Sequence, residues 1–319
     1  MRILKHAVAI VMLVVALPVS AQQLSIATGG TGGVYYPIGG GFAEMINKHI
    51  KGVKATAEVT GASVENMGLI MRGDADLAVA LADTVYQAYS GAGDFKGRHI
   101  KNVRVLASIY PNVVQLVTLA KSDIKSIADL KGKRVSVGAP GSGTELNVRA
   151  LLDANGIHYS NFTPLRFNFN ETADAIRDGD IDAGFWSVGS PTSSILNLGA
   201  THDIRLISFS DEEVANALKK DPVFAPYKLA AGMYEGMNEA VQVISIPNLL
   251  VVNSDMDEEL AYKLTKLLFE KTDELIAVHP AAHDTTVKYT MDSSPVPLHL
   301  GALRYFEEIG VEIPDRLRP

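Results

Sequence analysis

The chain has 319 residues, a formal charge of −7 and no cysteine. Disulfides and thiolate metal sites are therefore excluded. The acidic balance argues against nucleic acid as a partner, because that usually needs a basic face.

Residues 1–21 read as a cleavable export signal. Arg2, Lys5 and His6 form a basic head, and Ala7 to Leu17 is an apolar run of signal-core length. Pro18 ends the run, and Val19-Ser20-Ala21 offers small residues for cleavage after Ala21. The run is short of the roughly 20 apolar residues that a spanning anchor needs. The expected location is the periplasm. The remainder is long enough for two domains of ordinary size.

Leu24 to Thr28 is a strand candidate. It runs into Thr28-Gly29-Gly30-Thr31-Gly32-Gly33-Val34-Tyr35-Tyr36-Pro37, where glycine-rich backbone leaves N–H groups free to converge on an anion. A helix pattern follows, with Ile38, Phe42, Ile46 and Ile50 at four-residue intervals. Strand, glycine loop and helix N-terminus together suit an anion. A tight turn is the plainer reading of the same glycines. A dinucleotide fingerprint is ruled out, since Tyr35 stands where the last glycine of G-x-G-x-x-G belongs.

Val53 to Val59 is a second strand candidate. Thr60, Ser63 and Asn66 open the next helix, with Ser63 and Asn66 on one face. They cap that helix or look into a cleft. Arg72-Gly73-Asp74-Ala75-Asp76 closes it, and Leu77 to Leu81 reads as a strand buried on both faces. Asp83, just beyond, suits a ligand amine or a helix cap. Val103 to Ile109 and Val113 to Leu119 are long β-type runs broken at Pro111.

The order then recurs. Arg134 to Val137 is a strand candidate, Gly138 to Gly143 a glycine loop, and Thr144 to Asn155 a helix. Ser142, Gly143 and Thr144 stand at that helix start. Phe162 to Phe167, Glu171 to Arg177, and Ala183 to Trp186 follow as strand, helix and strand. Gly179-Asp180-Ile181-Asp182 matches Gly73-Asp74-Ala75-Asp76 in position. Gly189 and Ser190 follow the last strand. Trp186 reads as core. Ala240 to Val252 is another β-type run, broken at Pro247, and a helical tail starts near Asp257.

Two α/β lobes of one plan are expected, each a mostly parallel sheet flanked by helices, joined by crossover strands. The predicted lobes are 22–109 with 247–319, and 110–246. No catalytic group is nominated. Ser142 lacks the nucleophile-elbow setting, and Pro280 breaks the helical geometry that a His279–His283 metal pair needs.

Together, TGGTGGVYYP from Thr28, TGASVEN from Thr60, GKRVSVGAPGSGTE from Gly132, GDIDAGFWSVGSP from Gly179 and PVPLHLGALRYFEEIG from Pro295 carry a resemblance. They resemble the TAXI class of solute-binding proteins, the extracytoplasmic component of TRAP transporters, over nearly all of the exported part. The resemblance implies a type II-like, two-lobed periplasmic binding protein. Such a protein captures a small organic acid for membrane permease subunits; no enzyme activity is implied. By motif, its contacts would be Thr31, Gly32, Gly33, Tyr35, Ser63 and Asn66 in one lobe. In the other they would be Ser142, Gly143, Thr144 and the Gly189-Ser190 turn. Many relatives carry Gln-Ser-Asp where this chain has Leu81-Ala82-Asp83. That loss of polar side chains tilts the expected ligand from glutamate toward an amine-free dicarboxylate such as 2-oxoglutarate. The full expected site is Gly30, Thr31, Gly32, Gly33, Tyr35, Tyr36, Thr60, Ser63, Asn66, Leu81, Asp83, Ser142, Gly143, Thr144, Gly189 and Ser190. No cofactor, no metal and a monomer are expected. A periplasmic enzyme or a ligand sensor on the same clamp is the alternative.

Overall fold

The computed structural model describes residues 21–319; the expected signal at 1–21 lies almost wholly outside the described residues. The first α/β unit runs β1 (Gln22–Ala27), α1 (Tyr35–His49), β2 (Val53–Glu58), α2 (Ser63–Arg72), β3 (Leu77–Leu81) and α3 (Ala82–Ser90). A long strand, β4 (Val103–Leu119), leads to the second unit. That unit is β5 (Arg134–Ser136), α4 (Gly143–Ala154), β6 (Thr163–Leu165), α5 (Phe169–Asp178) and β7 (Ala183–Val188). Then come α6 (Ser193–Gly199), β8 (Ile204–Leu206), α7 (Asp211–Lys220), β9 (Ala225–Leu229) and a second long strand, β10 (Val241–Asn253). The tail adds α8 (Glu258–Glu270), α9 (Thr272–Val278), α10 (Val287–Ser293) and α11 (Leu300–Glu308).

One curled, mixed ten-stranded sheet runs in the order β2-β1-β3-β10-β4-β7-β5-β6, with β8 added beside β4 and β9 beside β10. β2, β1 and β3 are parallel, as are β6, β5 and β7. Between the two parallel sets, β10 and β4 pair antiparallel along their length, and Pro247 stands opposite Pro111. Each proline removes a ladder donor at the same level. This is where the apolar runs were expected to break; the chain instead passes straight through as one strand on each side.

The internal repeat is a repeat of hydrogen bonds. A left-handed glycine ends α2 (Gly73, φ 72°) and α5 (Gly179, φ 77°), a conformation that costs glycine little. Three residues on, Asp76 accepts from the Ser25 amide at 2.8 Å, and Asp182 accepts from the Arg134 amide at 2.7 Å. Each aspartate thus ties the helix-to-strand turn to the first strand of its own lobe. The strands that follow, β3 and β7, are buried at every residue. The C-terminal helices pack on the first lobe: an added Cβ at Gly41 of α1 would lie 2.7 Å from Cγ2 of Val278. Trp186 is fully buried and donates its indole N–H to Ser194 Oγ at 3.0 Å, as core.

Candidate functional site

A cavity of about 400 Å³ lies between the lobes at the carboxyl ends of the parallel strands. It falls within the ~300–1,000 Å³ range of small-molecule sites. The first lobe supplies the glycine loop (Gly29, Gly30, Gly33, Tyr35), the turn before α2 (Thr60 to Ser63) and Leu81. The second supplies Pro140, Ser142 to Thr144, Asn168, Phe169 and Ser187. Asn112 of β4 forms part of the floor.

Nine of the expected residues are on this wall: Gly30, Gly33, Tyr35, Thr60, Ser63, Leu81, Ser142, Gly143 and Thr144. Their free hydrogen-bonding capacity is uneven. Thr60 Oγ1 is taken, donating toward Thr28 O and Asn66 Oδ1 and accepting from the Ala62 amide. The Tyr35 hydroxyl donates to Asn248 Oδ1, so the ring forms wall while its polar tip serves the floor. Burial holds that phenol above its ordinary pKa, hence protonated. By contrast, the Gly143 and Thr144 amides in the first turn of α4 have no acceptor among the described residues, nor do those of Val34 and Tyr35 at the start of α1. Ser142 Oγ accepts from the Glu145 amide at 3.3 Å, which leaves its own proton for a ligand. Two helix N-termini therefore face the cavity from opposite lobes with unpaired donors.

Among the described residues, no Lys, Arg or His stands on the wall, and Glu171 is its only ionisable carboxyl. Glu171 is spent in a capping box, accepting from the Asn168 amide at 2.8 Å. Phe169 stacks on Trp186 with centroids 6.2 Å apart, which makes its ring a rigid wall. Ala62, also on the wall, is the one non-glycine residue at positive φ (76°) among the described residues. Its amide is fixed to Thr60 Oγ1 at 3.0 Å and its carbonyl to the Asn66 amide at 2.8 Å. A strained backbone held from both sides is a common feature of binding sites.

Seven expected residues lie off the wall, most of them for a tertiary reason. The Gly32 carbonyl is clasped by the Thr192 and Ser194 hydroxyls of the other lobe, at 3.0 and 2.9 Å. Thr31 is exposed and receives Asn170 Nδ2 at 3.4 Å. Tyr36 is 37 % exposed, since consecutive helical residues point about 100° apart. Asn66 is fully buried and props the core, donating to Thr28 O at 2.7 Å and Val79 O at 2.8 Å. Asp83 is buried and bonds Asn147. Gly189 packs on the Tyr110 ring, and Ser190 Oγ is buried beyond it. The N-terminus of α2 is not free either. Its Val64 and Glu65 amides donate to the Gly141 carbonyl of the opposite lobe, at 3.1 and 3.2 Å.

Sequence reading missed Asn112, Asn168, Phe169 and Ser187. Asn168 carried a usable signal, as Asn168-x-x-Glu171 is a capping-box pattern at the start of a lobe helix. Asn112 falls in the break between two β-type runs and Ser187 just past the Ala183–Trp186 run, and neither carried a signal of its own. His279 is partly buried, with Nε2 on Pro191 O at 3.0 Å and Nδ1 accepting from the Ala281 amide, so its ring is spent on backbone groups.

A chamber between two α/β lobes that share a pair of crossover strands is the architecture of the two-lobed periplasmic binding fold. The chain belongs to the NMT1-like family, whose sequence model matches residues 26–310. Among solved structures it is similar to a putative L-cystine ABC transporter protein from Listeria monocytogenes (15 % identity, 83 % of this chain and 98 % of that one, TM-score 0.52). It is also similar to a Bordetella bronchiseptica protein (18 %, 92 % and 90 %, 0.53) and to a Xanthomonas citri protein bound to chloride ion (12 %, 90 % and 99 %, 0.51). At these identities the likeness is one of fold.

Proposed function

We propose that this chain is the extracytoplasmic solute-binding component of a TRAP transporter of the TAXI class, and that it captures a small dicarboxylate of the 2-oxoglutarate or glutamate type. The chamber with unpaired helix N-termini on both sides is the observation that carries the reading. One carboxylate meets the Ser142–Thr144 donors, and the other meets the glycine loop at Val34–Tyr35. Backbone dipoles supply the positive potential, because no basic side chain among the described residues lines the chamber. A ligand that bridges the lobes stabilises closure, whereas one touching a single lobe shifts nothing. The lobes on this reading are 22–109 with 247–319, and 110–246, hinged where Pro111 faces Pro247. Export through residues 1–21 places the protein in the periplasm, where membrane permease subunits receive the closed form. Binding without turnover is its role.

The test is a calorimetric screen of dicarboxylates, amino acids and neutral sugars. The reading expects acids to bind and sugars not to; the reverse overturns it. Genes for fused TRAP membrane subunits beside this one would support the transporter assignment.

A further inference from the structure

Asp83 lies in the first turn of α3 and is 1 % exposed. Its carboxyl turns to the seam between the lobes. Oδ2 accepts a 2.6 Å hydrogen bond from Nδ2 of Asn147, on α4 of the opposite lobe. Oδ1 of Asn147 accepts from the Ser187 hydroxyl at 2.7 Å, and Ser187 stands on the chamber wall. A polar chain thus runs from a buried carboxyl in one lobe, across the seam, to the ligand chamber. Among the described residues no cation pairs with Asp83. Building on the clamp reading above, we propose that the Asp83–Asn147 contact is a proton-operated latch: the clamp takes up one proton on Asp83 as it closes and gives it back as it opens.

The physical reason is that closure removes water from the carboxyl without offering it a positive charge. Burial is the largest effect and pushes its pKa to about 7. The charge of half-buried Asp221, after α7, pushes the same way. The Thr84 hydroxyl and the first-turn amides of α3 pull back part of the way. The Tyr35 phenol also faces Asp83, and burial keeps it neutral. Opening parts Asp83 from Asn147 and returns water, so the carboxyl falls toward its ordinary value of about 4. The group binds its proton more tightly in the closed form, so acid favours closure. Between pH 8 and pH 6 the closed-to-open ratio rises about tenfold.

Two readouts test this on the full chain. The first is the affinity for 2-oxoglutarate by calorimetry at pH 8, 7 and 6, where both ligand carboxyls stay ionised. The second is the interlobe distance in ligand-free protein, by energy transfer between dyes on Lys54→Cys and Lys219→Cys. No native cysteine competes for the label. Asp83→Asn keeps an acceptor for Asn147 at every pH. The expected result is an affinity and a closed-to-open ratio that rise about tenfold toward pH 6 in the wild type and stay flat in Asp83→Asn. A flat wild-type profile overturns the latch and leaves the clamp reading standing, as does an equally steep Asp83→Asn profile. If no acid binds at any pH, the ligand reading fails and the dye distance alone decides the latch: a pH-dependent distance that Asp83→Asn abolishes supports it, and any other result overturns it.

Discussion

Gly143→Ala separates the folding of the second lobe from closure of the clamp. Gly143 is the first residue of α4, in backbone geometry that alanine adopts without strain. Within its own lobe the change is mildly favourable, since replacing glycine by alanine where the backbone geometry suits it stabilises by about 0.4–1 kcal/mol through the unfolded chain. Across the seam it is not. A Cβ there would sit 2.5 Å from Leu81 Cδ1, 2.8 Å from Ser63 Oγ and 3.0 Å from Ser63 Cβ. The Leu81 methyl can swing aside. Ser63 Cβ is fixed to the first turn of α2, whose amides hold Gly141 O, so relief requires the lobes to part. Overpacking of this kind costs about 1–3 kcal/mol. Falling on closure alone, that lowers ligand affinity roughly 5- to 150-fold. Calorimetry measures the affinity, and thermal unfolding of ligand-free protein measures the fold. The expected outcome is weakened binding with the melting temperature unchanged or raised. Wild-type affinity in Gly143→Ala would refute the argument; so would a melting temperature that falls along with the affinity.

Asn66→Ala strips donors from the Thr28 and Val79 carbonyls, so urea denaturation should show a loss of about 1–3 kcal/mol; an unchanged midpoint would return Asn66 to the list of candidate ligand contacts. Thr192→Val with Ser194→Ala releases the Gly32 carbonyl, which weakens binding several-fold (on the order of 1 kcal/mol per lost bond). Full affinity in that double variant would mean the clasp does not contribute to closure. Asp83 also marks the pH dependence of stability. Its pKa is about 7 in the closed form and near 4 unfolded, so its contribution to the closed form is fully present below about pH 4 and is lost as pH rises through 7. With saturating 2-oxoglutarate holding the clamp closed, the melting temperature of the wild type relative to Asp83→Asn should therefore be higher at pH 5 than at pH 8. A difference that stays constant across that range would count against the buried carboxyl.

Much of this protein is legible in its residues because the governing interactions are local. Alternation of apolar runs with glycine loops and 3.6-residue patterns marks each β-loop-α step. The paired Gly-Asp-x-Asp turns mark the repeat, since a left-handed glycine and the aspartate after it act within one turn and on the adjacent strand. Those signals suffice for two α/β lobes and a chamber at the strand ends. They also place Ser142, Gly143 and Thr144, because a helix N-terminus carries its free donors with it wherever it is packed.

Tertiary structure alone decides which apparently free groups stay free. The first-turn amides of α2 look as available as those of α4, yet Gly141 from the far lobe occupies them. Gly32 looks like part of a ligand cradle, yet Thr192 and Ser194, about 160 residues away in sequence, clasp its carbonyl and hold the residue at the seam, off the chamber wall. Asp83 looks like a partner for a ligand amine, yet Asn147 meets it first. Hydrogen bonds saturate, and a chain that folds two lobes against each other spends some of its donors and acceptors on the seam. Spacing along one lobe carries no record of what the other lobe will satisfy.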